Sequence, residues 1–111
     1  MTDTTHRAYF GDGEHDFAIT PELILELERT TGSGIGALFQ RLCAGTFHHT
    51  DMAEVVRLGL IGGGEAPERA ASLVAAYATP RPISEIYPLA LSILEALWFG
   101  KSKEVKDDGQ A

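Results

Sequence analysis

The chain has 111 residues, 44% of them hydrophobic, a single cysteine and a formal net charge of −7. That length suits one domain around one core and excludes a catalytic domain joined to a second module. An acidic surface repels phosphate backbones, and Arg7, Arg29, Arg41, Arg57, Arg69 and Arg81 stand singly along the chain, so no nucleic-acid partner is expected.

Residues 1–6 are polar, lack the apolar stretch of a signal peptide and read as a disordered N-terminus. No apolar run approaches the ~18 residues of a membrane span, so no membrane partner is expected either. Cys43, being alone, builds neither a disulfide framework nor a cysteine zinc site within one chain, and a cytoplasmic setting follows. Residues 7–100 read as a single domain. Its first elements are Arg7-Ala-Tyr-Phe10 and His15-Asp-Phe-Ala-Ile-Thr20, on either side of the turn Gly11-Asp-Gly-Glu14, whose Asp-Gly pair is a strong hairpin signal. Phe17 and Ile19 alternate with smaller or polar neighbours and give one face that wants burial. A two-stranded hairpin is marginal alone, so this one should dock on the helices that follow.

Thr20-Pro21-Glu22 combines a hydroxyl N-cap, a proline at the first helical position and a carboxylate in the first turn. Leu23, Ile24 and Leu27 form the apolar stripe of that helix, Glu22, Glu26 and Arg29 its wet side, and Gly32 ends it. Ser33 is the candidate cap of a second helix in which Ile35, Leu38, Phe39 and Leu42 recur at helical spacing, closed by Gly45. Thr46-Phe-His-His-Thr50 leads to a third helix, with Thr50 or Asp51 as its N-cap and Met52, Val55, Val56, Leu60 and Ile61 on its apolar side. Gly62-Gly-Gly64 stops it. Pro67 opens a fourth helix carrying Ala70, Ala71, Leu73, Val74 and Tyr77, and Thr79-Pro-Arg-Pro82 is a rigid break.

The last helix spans roughly Ile83 to Phe99, with Ile86, Leu89, Ile93, Leu94, Leu97 and Trp98 apolar and Gly100 as its stop. In a helix interior Pro88 would remove a hydrogen bond at a cost of about 3 kcal/mol, so either the regular helix begins near Glu85 or it kinks, and the late start is the favoured reading. Residues 101–111 are charged, nearly free of large apolar groups and read as a disordered tail. The fold class is mainly α with an N-terminal β-hairpin (α+β): about five short helices around one core, the hairpin docked on them.

Candidate chemistry is sparse. A phosphate loop needs glycines between a strand and a helix N-terminus, usually with Lys, Ser or Thr behind them. Gly62-Gly-Gly64 instead follows a helix, has no nearby lysine and is succeeded by Glu65, so it reads as a helix stop. His48-His49 invites a metal, but adjacent loop residues rarely give one tetrahedral ion two ligands and no carboxylate cluster has matching spacing. Cys43, on an apolar helix, reads as a buried structural thiol. No catalytic, cofactor-binding or metal residues are therefore assigned, and an enzyme is not expected. Leu94, Leu97, Trp98 and Phe99 cluster at the end of the last helix, where they either close the core or form a partner-binding surface.

The hairpin, Pro21-Glu-Leu-Ile-Leu-Glu-Leu-Glu28, Ile35-Gly-Ala-Leu38, Val56-Arg-Leu-Gly-Leu-Ile-Gly-Gly-Gly64 and Ala90-Leu-Ser-Ile-Leu-Glu-Ala-Leu-Trp-Phe-Gly100, in that order, resemble the gene transfer agent family proteins. These are small alphaproteobacterial products encoded among phage-like tail genes. The family looks like the tail assembly chaperones of long-tailed phages and has also been labelled a tail tube protein. The resemblance implies a helical protein that binds the tape measure protein and helps tail tube subunits polymerise around it, with a possible homo-oligomer and no cofactor. A structural tail component is the alternative, although tube subunits need extensive β-sheet and the chain offers one convincing hairpin.

Overall fold

Helix caps and turn residues divide the chain. The computed structural model describes residues 2–102, in the order β1 (Thr2–Asp3), β2 (His6–Phe10), β3 (Gly13–Phe17), α1 (Pro21–Thr31), α2 (Ile35–Ala44), α3 (His49–Gly62), α4 (Pro67–Tyr77), α5 (Ile83–Phe99) and β4 (Lys101–Ser102). The expected α+β architecture of five helices and an N-terminal hairpin is what forms. The two terminal segments, expected to be disordered, contain β1 and β4, which pair antiparallel as Thr2↔Ser102 and Asp3↔Lys101; the rest of the charged tail, 103–111, lies outside the described residues.

β2 and β3 pair from His6↔Phe17 to Phe10↔Gly13. The turn is thus only Gly11-Asp12, two residues rather than the four that the sequence marks out, and Gly13 and Glu14 belong to β3. Gly11 has φ +67, which a residue with a side chain rarely adopts, and a Cβ there would meet the Tyr77 ring at 2.6 Å. Phe17 and Ile19 are buried as their alternation predicts.

α3 is the centre of the fold. Met52, Val55, Val56, Leu58 and Leu60 are all buried, and the helix touches α1, α4, α5 and β3. A helix that is apolar on most sides belongs inside a core; each large side chain buried there contributes roughly 1.5–3 kcal/mol. Its last turn explains the glycine run. A Cβ on Gly62 would overlap the Ala18 carbonyl oxygen, and one on Gly63 the Asp16 carbonyl oxygen, while Ala18 N donates to Gly59 O at 2.9 Å. The glycines do stop α3, but they also let the end of β3 lie directly on its backbone.

The caps follow the sequence at α1, where Thr20 Oγ1 accepts from Leu23 N at 3.3 Å, and depart from it at the next two helices. Gly34, not Ser33, is the N-cap of α2. Glu28 Oε2, from the end of α1, accepts from Ile35 N at 2.8 Å, and Ser33 Oγ is engaged by Arg41 Nη1 at 2.5 Å. Neither Thr50 nor Asp51 is the N-cap of α3; that residue is His48, and Asp51, three positions on, accepts from His48 N at 2.8 Å. α5 begins at Ile83 rather than near Glu85. Pro88 is tolerated because its missing N–H orphans a single carbonyl, that of exposed Ser84, so near the helix start that water can reach it. Cys43 is exposed, not buried: it lies one step beyond Leu42 and leaves the Leu38–Phe39–Leu42 stripe.

Candidate partner-binding surface

α5 carries two populations of apolar side chains. Ile86, Ala90, Ile93 and Leu94 recur at spacings of three and four and face the core. Leu94, at 1% exposure, is therefore part of the packing and not of a surface, and Leu97 is half-buried against the core. Trp98 and Phe99 come one helical step later and project outward, 51% and 71% exposed. Of the four residues that the sequence groups as a partner-binding cluster, the structure places these two together in solvent.

They do not hang free. Phe39 on α2 is buried beneath them: its ring stacks on Trp98 at 4.8 Å between centroids and 25° between planes, and meets Phe99 edge-on at 6.2 Å. Gly36, one turn before Phe39, lies beside the indole; a Cβ there would make an ordinary van der Waals contact with its Cη2 at 3.9 Å. Aromatic pairs of this kind add about 0.5–1.5 kcal/mol beyond area burial, so the two exposed rings sit on a fixed bed. Beside Phe99 a groove of about 370 Å3 is lined by His6, Ser92, Glu95, Ala96 and Gly100. Glu95 precedes Trp98 by three residues and Phe99 by four, which sets its carboxylate on the same flank of the helix. A second groove, of about 380 Å3, opens at the other end of α5 among Tyr9, Tyr77, Ile86 and Leu89. With Ile83 half-exposed at the start of α5, the helix offers apolar surface at both ends.

Two polar clusters brace this framework. Asp51 is 1% exposed; its Oδ2 takes hydrogen bonds from Arg41 Nη2 at 2.9 Å, Arg41 Nε at 3.2 Å and His48 N at 2.8 Å. Arg41 continues to Ser33, so one guanidinium joins the α1–α2 loop, α2 and the start of α3. At the hairpin tip, His15 Nε2 lies 3.0 Å from Asp12 Oδ1, Arg69 pairs with Asp12, and His15 Nδ1 is 3.8 Å from Glu65 Oε2. The hydrogen bond from His15, with the charge of Arg69, holds the Asp12 carboxyl below its usual range. Hydrogen bonds from Arg57 do the same to Glu54 on α3.

His48 and His49 are exposed at the start of α3, and among the described residues no group of three His, Cys, Asp or Glu side chains is placed to hold a metal ion. No described helix is long and apolar enough to cross a membrane. Sequence reasoning missed the burial of Asp51, the exposure of Tyr9 and Ile83, and the role of Phe39 as a bed for Trp98. For Asp51 a signal existed, an acid three residues after a helix start and just before an apolar run; for Phe39 none did, since its spacing marks it only as core.

Together these features define a helical α+β domain with an aromatic surface held in solvent by its own core. Residues 3–100 match the family model described as "Phage tail tube protein, GTA-gp10", and the chain belongs to that family. It is a phage-like tail protein with a structural or assembly role, in the gene transfer agent group that the ordered motifs resemble. No curated protein and no solved structure gives a significant match.

Proposed function

We propose that the chain is a non-enzymatic tail assembly chaperone that acts in the cytoplasm, binds the tape measure protein and assists polymerisation of tail tube subunits around it. The observation that carries this reading is the pair of exposed rings, Trp98 and Phe99, mounted on Phe39 at the end of α5. Rigid aromatic side chains that remain in water in the free protein are the usual anchors of a partner, because their burial is favourable and little conformational freedom is lost. The scarcity of strand supports a chaperone over a tube subunit: among the described residues the longest strands have five residues, and the two sheets have two strands each.

Co-expression with the neighbouring tape measure protein, followed by co-purification, tests the proposal. A stable complex that is lost on replacing Trp98 and Phe99 supports it; no association in the presence of tube subunits removes its basis. The second reading, a structural component of the tail, is favoured by the family's description as a tail tube protein. Mass spectrometry of purified particles separates the two: this chain at stoichiometric copy number in finished particles favours the component, and its absence the chaperone.

A further inference from the structure

The hairpin leaves one edge open. Phe10↔Gly13 closes a two-residue loop and is a hydrogen-bonded pair, so the antiparallel alternation makes Ala8↔His15 and His6↔Phe17 hydrogen-bonded as well. Tyr9↔Glu14 and Arg7↔Asp16 fall between them. The backbone N–H and C=O groups of Arg7 and Tyr9 therefore point away from β3. On the opposite edge the Asp16 carbonyl is covered by Gly63, the C-cap of α3. On the β2 edge, no described residue bonds the outward backbone groups of Arg7 or Tyr9. Charged side chains commonly guard such edges. Here Arg7 is drawn back across the hairpin, Nη1 to Asp16 Oδ1 at 2.8 Å and Nε to Glu14 Oε1 at 3.7 Å, which leaves the edge itself open.

We propose that two copies of this chain pair through their β2 edges, antiparallel about a two-fold axis at Ala8, into a four-stranded sheet β3–β2–β2–β3. The register is self-complementary. With Ala8 facing Ala8 of the second copy, Arg7 lies opposite Tyr9 of that copy and Tyr9 opposite its Arg7. These are the residues whose N–H and C=O groups point outward, so each pair exchanges two backbone hydrogen bonds. The charges also fit. Across the outer face each row reads Asp16, Arg7, then Tyr9 and Glu14 of the second copy, with no like charges adjacent and each guanidinium beside a phenol ring. The grooves fit the same symmetry: one adjoins Tyr9 and the other His6, the two ends of β2, so an antiparallel partner brings unlike grooves together. Nothing in this pairing depends on what the protein does in the tail.

Sedimentation equilibrium over a range of protein and salt concentrations, with amide hydrogen exchange on the same samples, tests it. A monomer–dimer equilibrium is expected, tightening as salt screens the repulsion between two chains of charge −7. The Arg7 and Tyr9 amides should become protected as concentration rises. Tyr9→Pro removes an N–H that the hairpin does not use, at an edge position where proline is tolerated. It should weaken the dimer roughly thirtyfold, about fivefold for each of two symmetric hydrogen bonds, while Tyr9→Phe leaves it intact. A monomer at every concentration overturns the proposal, as does a dimer whose Arg7 and Tyr9 amides exchange as they do in dilute solution, or a folded Tyr9→Pro chain that dimerises like the wild type. If circular dichroism shows Tyr9→Pro unfolded, the concentration dependence of the wild-type Arg7 and Tyr9 amides decides.

Discussion

At the level of single residues, the least legible positions are those whose neighbours are distant in the chain. Gly62 and Gly63 read from sequence as a helix stop, and they are one, but a stop does not require two glycines; the approach of Ala18 and Asp16 carbonyls does. Alanine in place of a helical glycine ordinarily stabilises by up to about 1 kcal/mol. Gly62→Ala is expected to do the opposite and cost about 2 kcal/mol, because the added methyl must displace the β3–α1 connection or the end of α3. Urea denaturation gives the sign directly, and a gain in stability would contradict the close approach. Asp51 is the polar counterpart. Its type and position mark a helix start, while its burial comes from Arg41, ten residues upstream, folding over it. Asp51→Ala strands the Arg41 guanidinium beside an apolar gap and orphans His48 N, for an expected loss of about 3 kcal/mol. Asp51→Asn, which preserves the shape and an acceptor, should cost less. Equal losses in the two denaturation midpoints would show that the carboxylate charge, and not the shape or the remaining acceptor, carries the whole effect.

Elements were far more legible than residues. Thr20-Pro21, Gly32, Gly45, Pro67 and Gly100 each act locally through a cap, a fixed φ or a left-handed turn, so the helix boundaries they set can be read without the fold. The errors fall where a cap comes from elsewhere. Ser33 was the best local cap for α2, yet Glu28 reaches back from α1 to fill that role and Ser33 serves Arg41. Paired carboxylates within and between elements also make stability depend on acid. Asp12 is held below the ordinary carboxylate range by His15, Glu26 by Arg29 and Glu54 by Arg57. A depressed folded pKa means that the folded state binds its proton less readily than the unfolded chain. The stabilisation is therefore present above the unfolded value of about 4 and is lost as pH falls through the lower folded values. Thermal midpoints measured from pH 7 down to pH 3 should fall across that window. Glu54→Gln, lacking one of these carboxylates, should show a shallower decline; an identical slope would remove Glu54 from the account.

For the whole molecule, sequence periodicity sorted inside from outside well on α3 and poorly at the end of α5. Its apolar run continues from Ile93 through Leu94 and Leu97 to Trp98 and Phe99, and periodicity alone cannot tell a core that closes from one that overflows. The difference is set by α2, which ends the core at Phe39 and leaves the next two rings outside. That division yields opposite expectations for neighbouring substitutions. Leu94→Ser places a hydroxyl and a cavity in the core and should lose roughly 3 kcal/mol or more, together with cooperative unfolding. Trp98→Ser with Phe99→Ser removes mainly solvent-facing surface and a stacking contact, for roughly 1 kcal/mol, and should leave a folded chain that no longer co-purifies with the tape measure protein. Because Trp98 is the sole tryptophan, its fluorescence reports on the same surface without any substitution. Half exposed, it should emit towards the red in the free protein and shift to the blue as a partner covers it. A complex that forms with no change in emission would place the binding surface elsewhere, and a double serine variant that still binds would do the same, leaving the groove among Tyr9, Tyr77, Ile86 and Leu89 as the next surface to test.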